Sequence, residues 1–504
     1  MNTALLMAID LGTSFVKTGV YTTKGECIAC EKEPVKAQIP RSGVFIQHGE
    51  DLFGSVLYCI ENVTAQLREK ARDIEAIAFT GQMAGFMGVD ANWSDITTWS
   101  CSLDSRYVPW AEKQFASCKR EFLEIGGTNS PMMAPKIAWF TEAFPEEAAK
   151  VAKFVMISGY IMGRLGDIPI EEASIDGTYV TWTGLGDINR NVWSEETCRK
   201  LNIPMEKLPK IVKSNHICGR LSSSIAKLTG MREGIPLVSG AGDKITSCVG
   251  ANILREGELV FDTSSYAGVT CMVNSFKPNF DKSYYDGIPS AVGEGIYAIH
   301  YTPGSGISLD WFMKNFTSGD TFHVIDERVD HIPIGCDGLM AIGLLGGSNM
   351  PFNADLRGMW LGFDWSHTNA HFYRALLESY CFDFSITVDS IREQYPQYPY
   401  KTARVIGGGA QSRVWTQMIA DVCGIELHKI DRDDLALWAA AMLAGNAVGL
   451  FENIGETAEN AIAVAEVFKP NMEKHAAYAA YKDFYLKTLR EMSPICRERQ
   501  QLGQ

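Results

Sequence analysis

The chain is short of positive charge. Its 60 acidic residues outnumber 46 basic ones and leave a formal net charge of -14. A sequence-independent grip on a phosphate backbone needs a basic face, so nucleic acid is excluded as the main partner. Long hydrophobic runs are also missing. The opening Met-Asn-Thr-Ala-Leu-Leu-Met-Ala-Ile-Asp has no basic flank, and its apolar stretch stops at Asp10; neither a signal peptide nor a membrane span is expected there. No later run approaches the ~18 residues of a spanning helix. A disulfide framework is absent too. The 13 cysteines are odd in number and irregularly spaced, which suits reduced, buried thiols in a cytoplasmic protein. One C-x-x-C occurs, Cys27 to Cys30. It falls on a predicted strand with no second pair, so neither zinc nor redox chemistry is expected of it.

The common nucleotide signatures are not present. There is no G-x-x-x-x-G-K-[ST] and no G-x-G-x-x-G after a strand, which removes the P-loop and the Rossmann dinucleotide site. His367 and His371 stand four apart, but the intervening residues lack the glutamate of a zinc protease, and a capping or solvated role is expected.

What remains is a globular α/β chain. It has 504 residues, 46% of them apolar and 21% charged, enough for two large folding units at roughly 100–200 residues per domain, or three smaller ones. Leu5 to Ile9 reads as a buried strand, Asp10-Leu-Gly-Thr-Ser14 as a turn, and Phe15 to Tyr21 and Cys27 to Cys30 as two further strands. This is a β-meander. A similar unit recurs past the midpoint, with Glu258 to Phe261, the turn Asp262-Thr-Ser-Ser265, and a returning strand from Tyr266 to Val273. Two homologous domains follow, with a boundary near residues 245 to 255. Helices are predicted from His371 to Ile391, from Ser412 to Gly424 and from Asp434 to Leu443, Ser412 being a good N-cap. Residues 214 to 234 read as a surface connection with a short helix.

Two small-hydroxyl turns of this kind suit phosphate. Tight turns point backbone N–H groups outward and glycine permits close approach. Thr13, Ser14, Thr263 and Ser264 add hydroxyl donors. Asp10 repels phosphate but can hold a hydrated Mg²⁺. Asp243, in Gly240-Ala-Gly-Asp243 at the end of a predicted strand, can accept a proton from a hydroxyl attacking phosphorus, or can simply cap a helix. Gly407-Gly-Gly409 allows a backbone to approach a nucleotide, or to pack tightly on a neighbouring strand.

These segments together are similar to the FGGY carbohydrate kinases, xylulokinases among them. The carrying residues are Ala8-Ile-Asp-Leu-Gly-Thr-Ser14, Thr80-Gly-Gln-Met83, Trp99 with Asp104 and Arg106, Ser239-Gly-Ala-Gly-Asp243, Asp262-Thr-Ser264 and Ile406-Gly-Gly-Gly-Ala410. The resemblance implies two actin-like (ribonuclease H-like) ATPase domains with a cleft between them, closing on ATP. Residues 1–248 would form the N-terminal domain, with the sugar and the base, and 249–504 the C-terminal domain, with the nucleotide. It implies Asp243 as catalytic base and Asp10 with Asp243 at the Mg²⁺. Gln82, Met83, Asp104, Lys244 and Tyr266 would lie near the sugar. Thr13, Ser14, Thr263, Gly304, Gly408, Gly409, Ala410 and Ser412 would lie near the nucleotide. The implied activity is transfer of the γ-phosphate of ATP to a hydroxyl of a small sugar, a ketopentose such as xylulose. Other polyols, ketoses or aldonates, or an actin-like ATPase or sugar sensor, are the alternatives. The resemblance is compatible with a homodimer, which no sequence feature specifies.

The chain departs from the family's usual pattern in five places. Ala84 stands where xylulokinases usually carry a histidine. Trp99 and Asp104 are spaced more widely, and Lys244 follows the catalytic aspartate. Asp262 opens the second turn, and Trp438 replaces a small residue. The first three bear on the substrate, and the last two are expected on the nucleotide side.

Overall fold

The computed structural model describes residues 4–41, 43–278, 280, 284–349, 352, 353 and 355–502. The chain divides into two compact units. The first comprises Met1–Leu254, Gly287–Ile296 and Asp434–Ala461; the second comprises Arg255–Asp286, Tyr297–Asp433 and Ile462–Gln504.

The first unit is built on a six-stranded sheet. Its strands are β1 (Leu5–Leu11), β2 (Phe15–Thr22), β3 (Cys27–Pro34), β4 (Ile74–Gly81), β5 (Ile217–Arg220) and β6 (Pro236–Gly242). Their order across the sheet is β5-β6-β4-β1-β2-β3. The meander β1-β2-β3 is antiparallel, whereas β1, β4 and β6 run parallel to one another. Leu5 to Ile9 is buried at every residue, as a strand covered on both faces requires. Helix Gly49–Leu67 packs on β2 and β3, and helix Leu435–Ala447 on β1, β4 and β6. The segment expected as a surface connection contains a short helix, Ser223–Thr229, but it also supplies edge strand β5. With glycine and arginine in its four residues, β5 has no apolar alternation to mark it.

The second unit repeats the plan. Its strands are β7 (Leu259–Asp262), β8 (Gly268–Val273), β9 (Ile296–Tyr301), β10 (Thr402–Ile406), β11 (Glu426–Ile430) and β12 (Val464–Phe468). They lie in the order β9-β8-β7-β10-β11-β12, with β7, β10 and β11 parallel and β12 an antiparallel addition. The antiparallel meander flanked by two further parallel strands recurs from the first unit. The antiparallel edge strand precedes its neighbour in the chain there (β5 before β6) and follows it here (β12 after β11). The recurrence of the Asp-Thr-Ser turn reflects this repeated sheet core. The three predicted helices are present as Asn369–Gln394, Arg413–Cys423 and Leu435–Ala447. Ser412 Oγ accepts from Trp415 N at 3.1 Å and caps the second of these. His371 closes a capping box with Thr368 at the start of the first, in line with the capping role expected of it.

One residue sets where β6 ends. The register of β6 against β4 shifts between Val238 and Ala241. Gly240 has φ +72°, and a Cβ there would lie 1.7 Å from Phe79 O. Gly240→Ala is therefore expected to lower stability by at least about 2 kcal/mol, from left-handed strain plus the clash. Thermal melting of the variant checks this; an unchanged melting temperature contradicts it.

Candidate active site

The parallel strands of the first unit end level with one another. Asp10 of β1 and Ala241 of β6 both pair with Thr80 of β4, and Leu11 and Gly242 both pair with Gly81. At about 4.8 Å per strand, the backbones of Asp10 and Ala241 are about 10 Å apart. Asp243 follows as the first residue of helix Asp243–Gly250. Both carboxylates raise the pKa of one fully buried phenol, Tyr179, adding to the effects of burial and of Asp176. Asp10 and Asp243 thus share one electrostatic environment at the end of the sheet.

The two carboxylates are held differently. Asp10 Oδ1 is buried and has no hydrogen-bond partner. Its Oδ2 lies 3.6 Å from Lys17 Nζ, the residue directly opposite on β2. Burial raises the Asp10 pKa, and Lys17 opposes that shift without cancelling it. Asp243 Oδ1 accepts from Lys244 N at 2.7 Å. The backbone before it is braced by a buried relay, in which Gly242 N donates to Thr178 Oγ1 at 2.9 Å. Thr178 in turn donates to Asp176, which also accepts from Ser214 Oγ at 2.7 Å. Burial pushes Asp176 up to about 6 in spite of these bonds.

The neighbouring turn is clamped by side-chain amides. Gly12 O accepts from Gln82 Nε2 at 3.2 Å, and Thr13 O accepts from Gln47 Nε2 at 3.3 Å. Gln82 Oε1 accepts from Trp99 Nε1 at 3.2 Å, so this amide ties β4 to the turn. Met83 packs against Gly242, where a Cβ would lie 2.4 Å from its Cγ. Ser14 is exposed at the turn and Lys244 is half-buried on the helix.

Asp104 is enclosed. Its oxygens accept from Arg106 Nε and Nη2 at 2.8 and 2.6 Å, and from Ser100 Oγ at 2.8 Å. Burial alone raises its pKa, but Arg106, Lys136 and Ser100 outweigh it and hold the carboxyl below the usual range. The Asp104 side chain is 1% exposed and Arg106 24%, so the arginine is the end of the pair that meets solvent. Lys136, buried beneath them, donates to Ser100 Oγ and to the carbonyls of Ser100, Cys101 and Asp104. Burial lowers its pKa to about 8. Nothing in the local sequence marks Lys136, which sits in the first turns of helix Met133–Ala143 between apolar neighbours.

The second unit holds a groove of about 960 Å³, at the upper end of the usual size for a small-molecule site. Thr263, Ser264 and Ser265 form one wall, Gly408, Gly409 and Ser412 another. Thr263 N and Oγ1 both donate to Ile406 O, at 2.9 and 2.7 Å, and Ser264 N donates to Asp262 Oδ1 at 2.8 Å. Gly407 has φ +90°, and a Cβ there would lie 2.7 Å from Ser264 N. The glycine loop therefore packs directly on the turn, as the packing reading of those glycines expects. Gly304 caps helix Ser305–Phe316, whose Gly306 lines the groove, while Ala410 is buried behind it. Asp326, unmarked in sequence, also faces the groove with Oδ1 buried and unpartnered.

Tyr266 belongs to the second unit and packs on Tyr301 at 6.2 Å. Trp438, expected on the nucleotide side, is buried in the first unit against Tyr21 and Phe451, because its helix packs on β1, β4 and β6.

A duplicated sheet, each copy carrying a small-hydroxyl turn, is the plan of the sugar kinases with the actin-like ATPase fold. The structure superimposes on a gluconate kinase from Lactobacillus acidophilus with a TM-score of 0.89 at 20% identity, covering 97% of this chain and 98% of that one. A ligand-bound xylulose kinase from the same organism gives the same values. Residues 5–250 match the N-terminal domain and residues 259–448 the C-terminal domain of the FGGY family of carbohydrate kinases, and the chain belongs to that family. A xylulose kinase of Bacillus subtilis is 28% identical over 491 residues, 96% of this chain and 97% of its own. A gluconokinase of the same species is 27% identical over 474 residues, 90% of this chain and 89% of its own.

The raised pKa of Asp10 has a consequence for stability. The unfolded chain binds the proton less tightly, so this site's contribution is complete below the ordinary carboxylate pKa of 3.8. It is lost as pH rises through the folded value. Asp10→Asn is expected to melt higher than wild type at neutral pH in metal-free buffer, with the gap closing toward acid. Melting curves across pH check this; a lower melting temperature at neutral pH contradicts it.

Proposed function

We propose that the protein transfers the γ-phosphoryl group of ATP to a hydroxyl of a small sugar, a ketopentose such as xylulose. The observation that carries this reading is the pairing, at one sheet end, of Asp10 and its unsatisfied buried oxygen with Asp243 on the first turn of a helix. Among the described residues no cluster of three or more His, Cys, Asp or Glu could hold a metal. That fits Mg²⁺, which keeps its waters and takes one or two carboxylates together with substrate phosphates. Asp10 and Asp243 would hold it, and bound there it would neutralise charge on the phosphates. The groove behind the Thr263 turn and the Gly408-Gly409 loop suits the nucleotide. Thr13 and Ser14 supply the first unit's phosphate-facing turn.

In the reaction, the sugar oxygen bonds to the γ-phosphorus as the bond to the ADP oxygen breaks. Asp243 takes the hydroxyl proton late, since the transition state is loose and the base mainly orients the attacking group. An ordinary carboxylate suffices. Gln82, Met83 and the Asp104–Arg106 pair line up as the sugar side, with Arg106 the member open to solvent. Among the described residues no helix is long and apolar enough to cross a membrane, and all thirteen cysteines are free thiols; the cytoplasm is the compartment we infer.

A second reading, an aldonate as substrate, is favoured by Lys244, a cation immediately after the base, and by the relatives named gluconokinase. ADP release measured over a panel of ketoses, polyols and aldonates separates the readings. Lys244→Met is expected to lose activity selectively on acid sugars if an aldonate is the substrate; equal loss on neutral sugars excludes recognition by this lysine. Asp243→Asn should lower kcat by roughly 10²–10⁴-fold. Activity within about threefold of wild type, or ADP release that needs no acceptor, contradicts the kinase mechanism.

A further inference from the structure

Of the thirteen cysteines, Cys27 and Cys30 are the two that are exposed; Cys218 is half-buried and the rest are buried. On a regular strand, residues three apart point to opposite faces. Strand β3 is not regular. Its register against β2 shifts between Val20 and Tyr21, so that Tyr21 pairs with Cys27, Val20 with Ala29 and Gly19 with Cys30. Ile28 is the extra residue of a β-bulge. The bulge brings Cys27 and Cys30 to one face and leaves Ala29 buried on the other. Cys27 Sγ donates to Ala29 O at 3.5 Å, and each of the two thiols shifts the other's titration.

The surroundings make the thiols unequal. Its neighbour Cys27 draws the Cys30 thiol down to about 7, with help from Lys17 and against burial, Asp434 and Glu31. Cys30, burial and Asp434 push Cys27 up, opposed by the Tyr21 hydroxyl. That hydroxyl donates to Asp434 Oδ2 at 2.7 Å. Opposite Cys30 stands Gly19, which has no side chain to crowd it; the Tyr21 ring lies over Gly19 instead, 3.0 Å from where a Cβ would be. Elsewhere burial raises the thiols, as at Cys59, Cys198 and Cys218.

We propose that Cys27 and Cys30 are a modification site that reacts with small-molecule disulfides and closes to an intramolecular disulfide on the bulge of β3. Cys30, as thiolate, attacks one sulfur of the small disulfide; a mixed disulfide forms and one small thiolate leaves. Cys27 then loses its proton to water, attacks Cys30 Sγ and expels the second small thiolate. The protein gives up two electrons and two protons, and the small disulfide is reduced to two thiols. Reactivity follows thiolate fraction and access, which singles out Cys30 as the attacking group.

Oxidised glutathione and the full-length protein near neutral pH provide the test, followed by acid quench, alkylation and peptide mapping by mass spectrometry. The tryptic peptide Gly25–Lys32 contains both thiols. It is expected to lose two hydrogens and to regain them with a dithiol reductant. In Cys27→Ser the glutathione adduct should accumulate on Cys30. In Cys30→Ser modification should slow by about tenfold or more, since Cys27 has little thiolate. Wild type that stops at a stable adduct, reacts first at another cysteine, or stays unmodified overturns the proposal. Circular dichroism of both serine variants, expected to match wild type, guards against reading a folding defect as lost reactivity.

Discussion

A carboxylate oxygen that is buried and unsatisfied is a standing electrostatic cost, and in this protein Asp10 Oδ1 bears it at the end of a central strand. Lys17 compensates only in part, from the other side of the group and from a half-exposed position. The rest of the first unit is arranged so that this oxygen stays where it is. The buried strand beneath it fixes its height. Gln47 and Gln82 clamp the turn beyond it. The bulge at Gly240 brings β6 to an end at the same level, and the Asp176–Thr178 relay pins the backbone that leads into Asp243. Fold and proposed chemistry meet in that one constraint: stability is given up locally at the oxygen that, in the function we propose, receives the cation.

The same sheet plan serves a different purpose in the second unit. There the turn after β7 is satisfied internally, with the Thr263 hydroxyl and amide both spent on Ile406 O. What it offers a ligand is shape: a groove walled by the turn and by Gly306 and Gly409, which could not carry side chains without striking it. Duplication thus gave two copies of one scaffold, one presenting charge and the other a pocket.

Much of this was legible from the residues. The meander, its repeat, the Ser412-capped helix and the Asp10 and Asp243 positions follow from apolar runs, turn chemistry and motif order, all of which are local. The missed features depend on strand register or on long-range packing. The partnership of Lys17 with Asp10 depends on hairpin register, and Lys136 reaches Asp104 across 32 positions of sequence. Strand β5 pairs at an edge where composition says little. The helix of Trp438 returns to the first unit from a stretch of sequence surrounded by the second. The bulge that brings Cys27 and Cys30 to one face is likewise a matter of register, and strand periodicity alone argues against it.

Calorimetric titration of ATP, with and without Mg²⁺, into wild type and Asp10→Asn tests the central claim most directly. The account predicts that Mg²⁺ tightens ATP binding to wild type and that most of this gain disappears in the variant, while metal-free ATP binds the variant at least as well. An equal gain from Mg²⁺ in both proteins would show that the buried oxygen of Asp10 is not where the cation is held.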